Sequence, residues 1–215
     1  MQQLIKGVHG FRQHDFGRYR DLFQRLSTQG QKPQALFITC ADSRVVAELI
    51  TRSRPGDLFV VKNVGNIVPP ADAFGSTNST AAAIEFAVGA LEVEDIVICG
   101  HSQCGAMEAL LKGGDGLGHM PHLREWLEVA APVRRVIQES YSHIKEADAR
   151  HTAAAEENVL FGMDNLRAYP CVAERLKAGK LRLHAWFFKI ATAELFAFDP
   201  ETAQYQPLVP NGLRP

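Results

Sequence analysis

Asp95-Ile96-Val97-Ile98-Cys99-Gly100-His101-Ser102-Gln103-Cys104-Gly105-Ala106-Met107 is the stretch on which the reading of this chain turns. It begins as a buried strand and ends as the first turn of a helix. At the joint it sets a histidine and a cysteine three residues apart. Three positions along a helix are just under one turn, so both side chains can face one point in space. A nitrogen and a thiolate converging on one point suit zinc. Two ligands do not make a site, so the rest of the chain must supply another.

The segments around this joint read as alternating strands and helices. Ala35-Leu36-Phe37-Ile38-Thr39-Cys40 is a continuous apolar run, as expected of a strand covered on both faces. Leu58-Phe59-Val60-Val61-Lys62-Asn63 follows the Pro55-Gly56 turn as a second strand. Between them Ser43 reads as the cap of a short helix through Ile50. Residues 65–77, with Pro69-Pro70 inside, read as loop, and Ala81, Ile84, Val88 and Leu91 mark an amphipathic helix. After Gly105 a helix runs to about Lys112 and stops at Gly113-Gly114-Asp115-Gly116. Helices are expected over 121–146 with a break at Pro132, over 156–168 and over 170–178. Leu181–Ile190 and Glu194–Asp199 read as strands paired antiparallel at an edge, and the tail from Pro207 as extended. This pattern predicts an α/β fold: a mainly parallel, doubly wound sheet, about four parallel strands plus an antiparallel edge strand, flanked by helices.

Phe16, Tyr19, Phe23 and Leu26 recur at helical spacing ahead of the first strand. Residues 1–30 are therefore expected to form a helical arm on an α/β core of 31–215, within one domain. The arm's apolar stripe needs cover, and a partner subunit is one candidate. A net charge of −1 over 215 residues, with charges interspersed, gives no basic excess of the kind that nucleic-acid binding needs. No apolar run reaches the roughly 18–20 residues of a membrane span, and no apolar leader is visible, so a cytoplasmic setting is expected. Four cysteines are too scattered for a disulfide framework and more often bind metal or do chemistry in such a chain. Cys99, inside its strand, reads as core, and Cys171 as packing. His119, His122, His143 and His151 read as solvated helix residues rather than proton shuttles.

Cys40 is the missing ligand, because it ends the first strand as His101 and Cys104 follow the third. If these strands are neighbours, the chain reverses its winding between them, and doubly wound sheets bind ligands in that crevice. Three protein ligands leave one tetrahedral position open, which is the pattern of catalytic zinc. Asp42 and Arg44 lie close enough to reach that open face. The carboxylate can orient a metal-bound water, and the guanidinium can hold it ionised through a bidentate pair. Asp42 could also swing onto the metal and close the site.

Cys40-Ala41-Asp42-Ser43-Arg44 and His101-Ser102-Gln103-Cys104-Gly105 resemble the paired signatures of the β-class carbonic anhydrases. The resemblance extends through Pro55–Asn63, Gly65–Pro69, Ala83–Val88 and Leu183–Trp186. It implies one zinc per subunit on Cys40, His101 and Cys104, the Asp42–Arg44 dyad, and a homodimer or higher homo-oligomer with the arms packed on the partner. The implied reaction is reversible hydration of carbon dioxide to bicarbonate by zinc-bound hydroxide. Gln31 matches a glutamine that donates a hydrogen bond to substrate, and Phe59, Val64 and Phe86 match the apolar pocket wall. Phe37, Lys62 and Phe86 stand where the bicarbonate-inhibited type carries Trp, Arg and Tyr, which favours the open, constitutively active type. The chain departs from the family pattern at Ala41, across Phe74–Ala81, and at Ala185 and Ala193. Hydrolysis of carbon disulfide or carbonyl sulfide at the same zinc, and a non-catalytic zinc scaffold or sensor, are the competing readings. Two thiolates cancel the metal's formal charge, so its water should be less acidic than in a three-histidine site. The expected kcat/KM therefore climbs above neutral pH; a profile already flat at pH 6 would contradict this.

Overall fold

The structure is a computed structural model that describes residues 1–72 and 77–208. Strands β1 (Ala35–Cys40), β2 (Leu58–Asn63), β3 (Asp95–His101), β4 (Arg182–Lys189), β5 (Glu194–Asp199) and β6 (Gln204–Pro207) form one sheet in the order β2-β1-β3-β4-β5-β6. The first four in that order are parallel, and β5 and β6 add antiparallel at one edge. The expected edge strand thus gains a neighbour at 204–207, where the sequence pointed only to the start of an extended tail. Asp199 explains the return, because its carboxylate accepts the Glu201 amide and the Thr202 hydroxyl while Ala203 takes φ 53°. Tyr205 then packs on Phe187 and Phe198. The remainder of the tail, 209–215, and the first three residues of the divergent Phe74–Ala81 segment lie outside the described residues.

Every residue of β1 is buried, as its unbroken apolar run requires in a sheet covered on both faces. β1 lies between β2 and β3, so the winding reverses there and the carboxyl ends of β1 and β3 open onto one crevice. Helices α1 (Gln2–Gly10) and α2 (Phe16–Gln29), joined through a wider turn, bury none of their residues in this subunit. Helix α3 (Ala47–Thr51) starts later than Ser43 would have it. The Asp42 carboxylate accepts the Arg44 amide, and the Lys62 amine holds the carbonyls of Asp42 and Val45, so 42–45 is committed to a turn.

Helix α4 (Ser79–Glu85), capped by Asn78, continues into a wider turn at Phe86–Ala90. Then follow α5 (Gly105–Leu111), α6 (Pro121–Glu128), α7 (Ala131–Ser140), α8 (Ala147–Ala168) and α9 (Pro170–Lys177). The chain between α7 and α8 turns where the sequence reading continued the helix to 146. Helix α8 begins nine residues before the expected 156, with Glu146 accepting the Asp148 and Ala149 amides. Its alanine-rich first half shows no large apolar stripe, yet Ala153, Ala154 and Ala155 are buried.

Small residues let α8 lie close on the sheet. A Cβ at Gly100 would sit 2.8 Å from Val159 Cγ2 and 3.1 Å from the Ala155 carbonyl oxygen, and one at Gly162 would sit 2.9 Å from Ile98 Cδ1. Backbone cannot give way as a side-chain tip can. Gly100→Ala is therefore expected to cost about 1–3 kcal/mol and Gly162→Ala distinctly less; equal losses on urea unfolding would contradict that order. On the same helix, burial and then the charge of Glu157 push the Glu156 carboxyl up to about 7. The folded state holds that proton longer than the unfolded chain, so this stabilisation is complete below about pH 4.5 and is lost as pH rises through about 7. Glu156→Gln should raise the thermal midpoint at pH 8 and leave it unchanged at pH 4.

Candidate metal centre

The carboxyl end of β1 delivers Cys40, the end of β3 delivers His101, and the residue before α5 delivers Cys104. All three are buried, and their ligand atoms lie within 4.8 Å of one another. The two sulfurs are 4.0 Å apart. His101 Nδ1 lies 2.9 Å from the Ser102 carbonyl oxygen, so that nitrogen carries the proton and donates it there. Nε2 is left as a lone pair, buried and without a hydrogen-bond partner. An imidazole lone pair and two sulfurs facing one point form the donor set that zinc takes.

The electrostatics agree. The Cys104 thiol, with help from His101 and the backbone at Asp42 and Gly65, outweighs burial and holds Cys40 below the ordinary thiol range. Cys104 moves the other way, pushed up by the Cys40 sulfur beside it and by burial. Two thiolates cannot share this pocket unless a cation lies between them.

Asp42 borders the cluster, with Oδ2 3.9 Å from His101 Nε2. Arg44 holds the carboxylate at both oxygens, Nε to Oδ1 at 3.0 Å and Nη2 to Oδ2 at 2.7 Å, and its own amide adds a third bond to Oδ1. These bonds from Arg44 outweigh burial and hold the Asp42 carboxyl well below the usual carboxylate range. Arg44 Nη2 also reaches the Gln103 carbonyl at 3.2 Å, tying the Cys40 segment to the turn between His101 and Cys104. Gln103 makes that turn with φ 55°.

The structure thus brings Cys40, Asp42, Arg44, His101 and Cys104 together. Val64 lies beside them, half-exposed, one residue before the Gly65 amide that donates to Cys40 Sγ at 3.4 Å. Phe59 and Phe86 pack on each other with ring centroids 5.8 Å apart, Phe59 pairing with Leu36 four positions before Cys40. Gln31 is exposed ahead of the amino end of β1, whose six residues put it roughly 20 Å from Cys40. Sequence reasoning passed over Ser102, which fixes the histidine tautomer through its carbonyl. Its amide donates to Phe188 and its hydroxyl accepts from Ile190, so the end of β4 holds the joint in place. It also passed over Trp126, whose indole N–H donates to the Val64 carbonyl at 2.7 Å.

Comparison with known proteins agrees with this geometry. The carbonic anhydrase family profile matches residues 35–195. A carbonic anhydrase of Synechocystis is 45% identical over 200 residues, 93% of this chain and 71% of that protein. One from Pseudomonas aeruginosa is 40% identical over 206 residues, 95% of this chain and 90% of that protein. Among solved structures, the β-carbonic anhydrase CcaA superposes with a TM-score of 0.91 at 42% identity, covering 97% of this chain and 99% of its own. A pair of tetrameric β-carbonic anhydrases from Sordaria macrospora is represented by a match with a TM-score of 0.81 at 31% identity, covering 91% of this chain and 95% of that one. With its paired cysteine, histidine and aspartate–arginine segments at the reversal of a parallel sheet, the chain belongs to the β-carbonic anhydrase family.

Proposed function

We propose that this chain hydrates carbon dioxide reversibly to bicarbonate at a single zinc held by Cys40 Sγ, His101 Nε2 and Cys104 Sγ. The observation that carries the reading is the buried, unpartnered His101 Nε2 facing two sulfurs with an arginine-bound carboxylate at their edge. Zinc bound there supplies a Lewis acid that makes water a nucleophile near neutral pH. Asp42 stays ionised and is an acceptor only, so it would accept a hydrogen bond from the O–H of the attacking nucleophile, keep no proton, and leave an oxygen lone pair turned toward the carbon. Arg44 keeps that carboxylate aimed, and its three bonds support the arrangement in which Asp42 stays off the metal. Lys62, engaged with the carbonyls of Asp42 and Val45, and Phe37, packed edge-on against Trp186, support the open, constitutively active type.

Gln31, Phe59 and Phe86 sit toward the far end of the strands from their own Cys40 and act on substrate in the site of a second copy. Val64 serves its own. The apolar stripe of the arm, with Leu4, Ile5, Val8 and Phe11 exposed, is consistent with a homo-oligomer of this kind. Residues 1–215 then act as one domain, arm included. No helix among the described residues is long and apolar enough to cross a membrane. A cytoplasmic setting would keep Cys40 and Cys104 reduced for the metal.

Asp42→Asn tests the assignment. It keeps the shape, loses the ionised acceptor, and should lower kcat/KM for carbon dioxide by about 10²–10⁴-fold while zinc stays at one per subunit. A fully zinc-loaded wild type without activity would mark a scaffold instead, and turnover of carbon disulfide in place of carbon dioxide would move the substrate assignment.

A further inference from the structure

The segment that follows β2 passes directly over the ligand cluster, and one peptide unit in it is gripped at both ends. The Val64 carbonyl accepts the Trp126 indole N–H at 2.7 Å, and the Gly65 N–H of the same peptide donates to Cys40 Sγ at 3.4 Å. In a trans peptide the C=O and N–H point in opposite directions, so fixing the oxygen aims the hydrogen. A bond accepted at the oxygen also polarises the unit and makes its N–H the better donor. The unit has little room to find another position. Gly65 has φ +81°, and a Cβ there would lie 3.0 Å from Ala106 Cβ and 3.2 Å from Met107 Cε, at the start of the helix that follows Cys104. On its far side the Gly65 carbonyl accepts Asn158 Nδ2 at 2.9 Å.

We propose that Trp126 is a positioning residue for the metal centre, gripping the Val64–Gly65 peptide so that its N–H bonds the Cys40 sulfur and sets how strongly that sulfur donates to the metal. The inference rests on the reading of Cys40 as a zinc ligand. Partners of this kind, one bond removed from a ligand, usually change metal affinity tenfold to a hundredfold. Trp126 stands 86 residues after Cys40 on α6, a helix that contributes no ligand. Tyr169 supplies the natural control. Its hydroxyl donates to the Pro69 carbonyl at 2.9 Å, so it clamps the same segment but not the peptide that meets the sulfur.

The test uses the whole chain loaded with cobalt(II), whose thiolate charge-transfer band reports the electron density on sulfur, together with zinc affinity from competition with a chromophoric chelator. Trp126→Phe keeps a ring and removes the N–H. It should fold, move the band to longer wavelength and weaken zinc binding at least tenfold, while Tyr169→Phe does neither. An unmoved band in Trp126→Phe, or an equal shift in Tyr169→Phe, overturns the proposal and leaves the zinc reading intact. A wild type that takes up no metal overturns both. Should Trp126→Phe fail to fold, the wild type answers through hydrogen exchange. Metal loading should slow exchange of the Trp126 indole N–H, and an indole indifferent to the metal overturns the proposal.

Discussion

Buried carbonyls without water must find donors inside the protein, and residues 65–69 are buried throughout. The organisation of the candidate metal centre depends on how this obligation is met. Asn63 turns its side chain back to bond both the amide and the carbonyl of Ile67. Trp126, Asn158, Asn165 and Tyr169 take the carbonyls of Val64, Gly65, Val68 and Pro69. Three of these donors stand on or just past α8, the helix that also presses on β3 at Gly100, immediately before His101. The helix that satisfies the loop is thus the one that seats a ligand strand, so loop, ligand and helix are held in one register.

Charge is balanced around the same point. Two thiolates and the Asp42 carboxylate would carry three negative charges, and the proposed zinc dication with the Arg44 guanidinium would carry three positive ones. Near neutrality is what a largely buried site needs, since an unpaired buried charge is far costlier than a paired one. At the other end of β3, Asp95 is held by Arg182 at both oxygens and by His184, so the exposed end of the sheet has its own charge pairing.

Much of this was legible in the chain because each piece had a local signature. Unbroken apolar runs marked the parallel strands, and residue types with metal chemistry stood at strand ends. What stayed hidden depends on partners distant in sequence. Ser102 and Trp126 carry no chemistry of their own; their roles exist only where a carbonyl meets a metal ligand or its neighbour. The short β6 was hidden because its cause is an aspartate turn rather than an apolar pattern. Ser43 had the right residue type for a cap, but Asp42 and Lys62 had already claimed the backbone around it. The first half of α8 escaped notice because alanines bury a surface without announcing a stripe.

The order of the chain adds one consequence. All three ligands have been synthesised by residue 104, yet much of what holds them comes afterwards. Trp126 and Asn158 follow, and β4 supplies the Phe188 carbonyl and Ile190 amide that anchor Ser102. A nascent chain emerging amino end first exposes soft ligands well before it can fix their geometry. If the proposed zinc site is right, its geometry during synthesis would stay unfinished until the carboxyl-terminal half, which contains none of the three candidate ligands, has emerged.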